Sequence, residues 1–258
     1  MDAVVMLSGG VGSWNAGRRA IARYGASGVV LLFADTKVED ADTYRFLRDS
    51  AADLGAPLVE VADGRTPFEV FRDDRFLGNA RLANCSKHLK QKPAREWLEA
   101  NAPPDAVVVV GIDWQETHRL PAIEAGWSPW PVWAPLCDKP LIDRPGMLAN
   151  ASAAGLKPPA AYVDGLPHSN CLAQGCVRGG QAYWERMLRT RPHAYAYAER
   201  EEQALRGHLG KDVAMLRDRT GGQVSPLTLR EFRGRLEQQP DLFDGHEWGG
   251  CGCFTDGP

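Results

Sequence analysis

Short apolar runs alternate with segments of helical periodicity through the first half of the chain. Residues 4–7 (Val-Val-Met-Leu), 29–34 (Val-Val-Leu-Leu-Phe-Ala) and 106–110 (Ala-Val-Val-Val-Val) are uninterrupted by polar residues. Such runs predict strands buried on both faces, as in a parallel sheet. Residues 57–61 predict a further strand. Residues 14–24 and 40–54 read as helices, the second with Tyr44, Leu47, Ala51 and Leu54 at helical spacing. Residues 63–84 form a long connection with a short helical piece at 68–71. Another helix runs from Pro93 to about residue 99, and an apolar segment at 130–134 leads into Pro135-Leu136-Cys137. Strands alternating with helices predict βαβ units, hence an α/β fold: a parallel twisted sheet flanked by helices.

Beyond about residue 141 the strand signals vanish. Helical patterns dominate at 146–154, 181–190, 195–209 and 227–237, punctuated by Pro158-Pro159 and Pro167. The expected organisation is an α/β nucleotide-binding region over residues 1–140. A helical, cysteine-bearing region over 141–258 folds back onto it.

The first strand ends in Ser8-Gly9-Gly10-Val11-Gly12-Ser13, directly before a helix. Strand, glycine-rich loop and helix together make a phosphate-binding arrangement. Glycines let the backbone approach an anion, and the N–H groups of the helix start point at it. The loop lacks the Gly-Lys-Ser/Thr ending of a Walker loop and the G-x-G-x-x-G spacing of dinucleotide sites. Ligands of parallel sheets bind at the carboxyl ends of the strands. Asp35 stands at one such end. Gly111, Asp113, Glu116 and Arg119 follow another.

Composition narrows the class. With 258 residues, 44% of them hydrophobic, the chain can build a substantial core. A net charge of −3 gives no global basic footprint for nucleic acid. No apolar run approaches the ~20 residues of a membrane span. The chain enters its first strand almost at once, so no leader peptide and a cytoplasmic location are expected.

The six cysteines are Cys85, Cys137, Cys171, Cys176, Cys251 and Cys253. In a chain of this kind they point to metal binding or catalysis rather than disulfides. Cys85 precedes a lysine-rich helix (Lys87, Lys90, Lys92), where a thiolate is favoured. Four residues separate Cys171 from Cys176, and Cys251 and Cys253 lie in a glycine-rich tail that lets sulfurs converge on one ion or cluster. Thiolates select zinc, Cu(I) or iron–sulfur clusters. Zinc held by thiolates, with His168 as an alternative fourth ligand, and a 4Fe–4S cluster both fit. The absence of C-x2-C pairs favours the cluster.

Residues 8–13 resemble the S-G-G-x-D-S loop of the PP-loop ATP pyrophosphatase superfamily, with Gly12 at the Asp position. Phe33-Ala34-Asp35-Thr36 and the Cys85 segment with its lysines and Pro93 extend the likeness. Residues 111–119 are similar to the family's G-x-x-x-x-E-S-x-x-R segment: Glu116 keeps its place, Thr117 replaces the serine and Arg119 comes one residue early. The chain therefore looks like the phosphoadenosine phosphosulfate reductase-like branch. It is most similar to the stand-alone proteins of phage and bacterial genomes.

That resemblance implies an adenine nucleotide alpha hydrolase-like fold binding ATP or a related adenine nucleotide with Mg²⁺. Ser8, Gly9, Gly10, Gly12 and Ser13 would cradle phosphate. Asp35, Asp113 and Arg119 would line the nucleotide site, and Glu116 and Cys253 would serve catalysis. Cys85, Cys171, Cys176 and Cys251 would hold the cluster, with zinc as the alternative. The implied reaction is ATP-dependent sulfur transfer to an adenylated substrate, a nucleic-acid component among the candidates. The tail lacks the reductases' E-C-G-x-H motif, and Cys85 stands alone where they carry a cysteine pair. Two alternatives stand beside sulfur transfer. One is reduction of an adenylyl sulfate. The other is a zinc-stabilised binding module, or a subunit of a nucleic-acid modification or defence system. An oligomer is compatible with each.

Overall fold

The computed structural model describes residues 1–238; Cys251 and Cys253 lie outside the described residues. The α/β part opens with β1 (Ala3–Met6), α1 (Val11–Tyr24), β2 (Val29–Ala34), α2 (Ala41–Leu54) and β3 (Leu58–Val61). After α3 (Pro67–Asp73), one helical stretch begins as α4 (Asn84–Ser86), passes through a π turn at Lys87–Gln91 and continues as α5 (Lys92–Asn101). Then come β4 (Val107–Val109), a 3₁₀ turn at Trp114–Arg119, α6 (Leu120–Trp127) and β5 (Val132–Trp133). The second half holds α7 (Arg144–Ala153), α8 (Ala160–Val163), α9 (Gln181–Thr190) and α10 (Pro192–Leu209). It ends with β6 (Leu216–Asp218), β7 (Ser225–Leu227) and α11 (Leu229–Gln238).

The five strands β1–β5 make one parallel sheet in the order β3-β2-β1-β4-β5. This is the α/β class the apolar runs predict. Side-chain alternation divides its core in two. Ala3, Val5 and Leu7 face one cluster with Trp14, Phe46 and Met147, from α1, α2 and α7. Val4 and Met6 face the other with Leu98, Ile123 and Trp127, from α5 and α6. A third cluster gathers Tyr183, Trp184, Tyr195 and Phe232 from the C-terminal helices and takes in Phe68 and Phe71 of α3. Among the described residues no helix is long and apolar enough to cross a membrane.

Two elements depart from the sequence expectation. Cys85 sits inside the first turn of a helical stretch rather than before a helix, and that stretch runs through Pro93. A proline inside a helix lacks an N–H donor and crowds the preceding turn. Here the π turn absorbs it, with the Lys92 N–H reaching back to the Lys87 carbonyl. The second departure is the antiparallel ribbon β6-β7, in a region that shows no strand signal in the sequence. Its two three-residue strands, one holding Pro226, are too short to produce a periodicity.

Glu202 on α10 anchors this ribbon. Fully buried, it accepts the backbone N–H groups of Met215 at 2.9 Å and Leu229 at 2.7 Å. Burial outweighs these bonds and pushes its carboxyl from 4.5 up to about 7. Between those values the folded chain binds more protons than the unfolded one, so stability falls as pH rises and levels off above about 7. The unfolding free energy of wild type, measured against Glu202→Gln by urea titration, should therefore fall by on the order of 3 kcal/mol between pH 4.5 and 8. A wild-type-minus-variant difference that stays flat with pH would contradict this.

Candidate functional site

In an open parallel sheet the ligand crevice lies where the strand order reverses. Here that point falls between β1 and β4, whose connections leave in opposite directions. The loop 8–13 leaves β1 at this point. Gly9 adopts φ +75°, a left-handed backbone that favours glycine. Gly12 is pressed against β4's exit: a Cβ there would lie 2.9 Å from the Gly111 carbonyl oxygen. A Cβ on Gly111 would lie 2.7 Å from both Ser13 N and Ser13 Cα. No aspartate fits at position 12 without displacing the end of β4.

Ser13 staples the loop. Its hydroxyl donates to the Gly10 carbonyl at 2.9 Å and accepts the Ser8 N–H at 3.1 Å and the Ser8 hydroxyl at 3.3 Å. Val11 donates its N–H to the Tyr162 hydroxyl at 3.3 Å. The N–H groups of Gly9, Gly10, Gly12 and Ser13 meet no acceptor among the described residues. They stand at the positive end of the 14-residue helix α1, where an anion is stabilised.

The carboxylates and arginine of the predicted site lie along the same sheet edge. Asp35 follows β2 and is buried. Its Oδ1 accepts the Tyr44 hydroxyl at 2.6 Å and the Lys37 N–H at 2.8 Å, and its Oδ2 accepts Lys37 Nζ at 2.7 Å. Burial pushes this carboxyl up, but the bonds from Lys37 and Tyr44 outweigh it and hold it below the ordinary value. These three bonds orient Lys37 and leave Oδ2 with acceptor capacity to spare. Asp113 caps the 3₁₀ turn, accepting the Gln115 N–H at 2.9 Å. Glu116 and Arg119, one 3₁₀ turn apart, form an ion pair with each other.

Three of the predicted sulfur ligands come together. Cys85, Cys171 and Cys176 line one small cavity of about 20 Å³, with Thr36, Lys90 and Arg178 among its other walls. Cys85 comes from α4, and Cys171 and Cys176 from the turns before α9. Cys171 has φ +59°, and its N–H is accepted by Glu39 Oε2. Cys176 donates its N–H to the Tyr183 hydroxyl at 2.9 Å. Burial pushes the Glu39 carboxyl up, and Lys90, its nearest cation at 3.7 Å, opposes this. His168, the alternative ligand, does not line the cavity. It stacks on Tyr183, and burial, reinforced by the charges of Lys90 and Arg144, lowers its pKa to about 4. Cys137 lies elsewhere, its thiol 3.8 Å from the Ile112 carbonyl. Among the described residues no group of three or more His, Cys, Asp or Glu side chains is drawn close enough to hold a metal ion.

The loop and the cavity are joined. The Ser169 hydroxyl donates to the Gly9 carbonyl at 3.1 Å, and the Ser169 carbonyl accepts the Thr43 hydroxyl at 2.7 Å. Two residues on, Cys171 enters the cavity. Glu39, Ser169 and Tyr162 thus border the loop and the cavity although the sequence did not single them out.

Fold and site together define an α/β protein with a glycine-rich loop at the sheet's switch point and a cysteine-lined cavity beside it. No protein-family model and no curated protein matches the sequence. Among solved structures, the chain is similar to phosphoadenylyl-sulfate (PAPS) reductase from Candida auris, determined as a phosphate complex. The TM-score is 0.45 at 17% identity, over 64% of this chain and 79% of that one. A likeness at this level says nothing of chemistry.

Proposed function

We propose that the chain is an adenine-nucleotide-binding enzyme of the PP-loop, phosphoadenosine phosphosulfate reductase-like kind, acting in ATP-dependent sulfur transfer to an adenylated substrate. The observation that carries this reading is the convergence of Cys85, Cys171 and Cys176 on one cavity tied to the glycine-rich loop through Ser169. These residues are up to 91 positions apart (176 − 85) in the chain. Cys85 and Cys176 also pack against the C-terminal hydrophobic cluster, but packing alone does not call for three cysteines at one wall, since buried cysteines otherwise behave as scattered small hydrophobes.

The chemistry of the donor set suits a soft metal or an iron–sulfur cluster, since cysteines line the cavity and carboxylates do not; at about 20 Å³ the cavity has room for a cluster only if its walls part on loading. Lys90 and Arg178 in its walls suit a thiolate-ligated group of net negative charge. A 4Fe–4S cluster would be held by Cys85, Cys171, Cys176 and Cys251, leaving Cys253 to act on sulfur. Bound there with a thiolate on each iron, it would supply electron transfer. The nucleotide's phosphates would lie on the N–H groups of Gly9, Gly10, Gly12 and Ser13, where charge developing on pyrophosphate is stabilised. Arg119 and Lys37 would approach that charge from the neighbouring strand ends. An oxygen of the acceptor attacks the α-phosphorus, pyrophosphate leaves, and a sulfur nucleophile then displaces AMP. A nucleic-acid component is the acceptor class to try first. Mg²⁺ would reach the site with the nucleotide.

One observation favours a second reading. With Gly12 closed against Gly111, the loop has no carboxylate of its own, as suits a zinc-stabilised module that binds nucleotide without turning it over. Incubation with labelled ATP and candidate acceptors separates the two. Release of AMP and pyrophosphate in step with acceptor sulfuration is the expected result. ATP bound but never cleaved supports the second reading, and no ATP binding at all overturns both. Release of sulfite from an adenylyl sulfate, with a reductant, would instead identify a reductase.

A further inference from the structure

Glu39 lies between β2 and α2 with its side chain wholly buried. A carboxylate placed there is costly unless partners receive it. Its Oε1 accepts the Thr36 hydroxyl at 3.0 Å and faces Lys90 Nζ at 3.7 Å, while its Oε2 accepts the backbone N–H of Cys171. A buried ion pair of this kind is a weak source of stability, and an apolar pair would fill the same space as well. The bond to Cys171 is what an apolar residue could not supply.

Cys171 is in a left-handed conformation, which is unfavourable for a residue with a Cβ and persists only where its surroundings impose it. Its neighbours in sequence are tied down too. Ser169 is bonded to Gly9 and Thr43, and the Ala173 N–H donates to the Val38 carbonyl at 3.0 Å. Glu39 completes this series at Cys171 itself. With the backbone so held, the Cys171 sulfur lies 3.9 Å from Thr36 Oγ1 and 4.0 Å from Glu39 Oε1, on the wall it shares with Cys85 and Cys176.

We propose that Glu39 is the positioning residue for Cys171: by accepting that residue's backbone N–H it aims the sulfur into the shared cavity, without itself being a ligand or a reacting group. The role rests on the cavity being the sulfur site argued above. It is tested on the full chain by site-resolved alkylation. The rate at Cys171 is read relative to Cys137, which lies outside the cavity, and iron and sulfide are measured in the same samples. Glu39→Ala and Glu39→Asp, which cannot hold the N–H, should change the Cys171 to Cys137 ratio by about tenfold. Glu39→Gln keeps an acceptor but removes a carboxylate 4.0 Å from the sulfur, so each rate is divided by the thiolate fraction read from its pH profile, and the corrected ratio should stay within about threefold of wild type. The proposal is overturned if the ratio is unchanged in the Ala and Asp variants. It is equally overturned if Gln shifts it as far, or if Cys85 and Cys176 shift alongside Cys171, since either marks general loosening. Should the Ala variant not fold, the Asp against Gln comparison decides alone. A chain lacking iron and sulfide would remove the cluster from the account and leave the Glu39 comparison standing.

Discussion

Gly111→Ala should lower stability by about 3 kcal/mol and abolish ATP binding. The added Cβ would lie 2.7 Å from Ser13 N and Cα, and both atoms are backbone, so no rotamer change relieves the contact. Either the end of β4 or the first turn of α1 must move. Because the proposed phosphate site is built from that first turn, the cost falls on the site and the fold together. Gly12→Asp, which restores the residue of the S-G-G-x-D-S pattern, should act in the same direction. A carboxylate near a helix N-terminus is worth roughly 0.3–1 kcal/mol. That does not offset a Cβ placed 2.9 Å from the Gly111 carbonyl oxygen. Urea unfolding and calorimetric titration with ATP check both variants. A Gly12→Asp protein as stable as wild type, binding ATP as well, would show that the loop and β4 are not locked together.

Single cysteine replacements should divide the thiols sharply. Cys85→Ser, Cys171→Ser and Cys176→Ser should each lose most of the bound metal, by about tenfold or more, since removing one thiolate from a four-ligand site leaves it incomplete. Cys137→Ser should keep the full metal content, because its sulfur lies near the Ile112 carbonyl outside the cavity. Metal content per folded chain, by elemental analysis, gives the answer. Equal loss in all four variants, or in none, would contradict the shared cavity as a metal site.

The sheet and the loop were legible because their physics is local. An apolar run such as 29–34 has few alternatives to a buried strand, and three glycines between a strand and a helix mark a tight turn. The cysteines were legible as a set only because thiols are rare and chemically distinctive; nothing in their spacing shows that Cys85 reaches Cys171. That meeting depends on tertiary structure, on the helical stretch starting at Asn84, well before Pro93, and on the left-handed turn at Cys171. Glu39 left no trace in the sequence, since a glutamate between a strand and a helix is ordinarily exposed. Lys90 belongs to a lysine run that reads as a solvated face, yet it is 3% exposed because the π turn rotates it inward. Asp35 was recognisable by its place at the strand's end, but not the fact that Tyr44 and Lys37 bond to its two oxygens. The ribbon β6-β7 was invisible for a simpler reason: three residues are too few to show a period.

The central claim, that Cys85, Cys171 and Cys176 converge to handle sulfur beside a nucleotide, is tested most directly by one measurement. Anaerobically purified protein is assayed for metal and acid-labile sulfide, with its visible spectrum. About four irons and four sulfides per chain, with a broad charge-transfer band, is the predicted result. About one zinc and no labile sulfide would contradict it and make the cysteines structural.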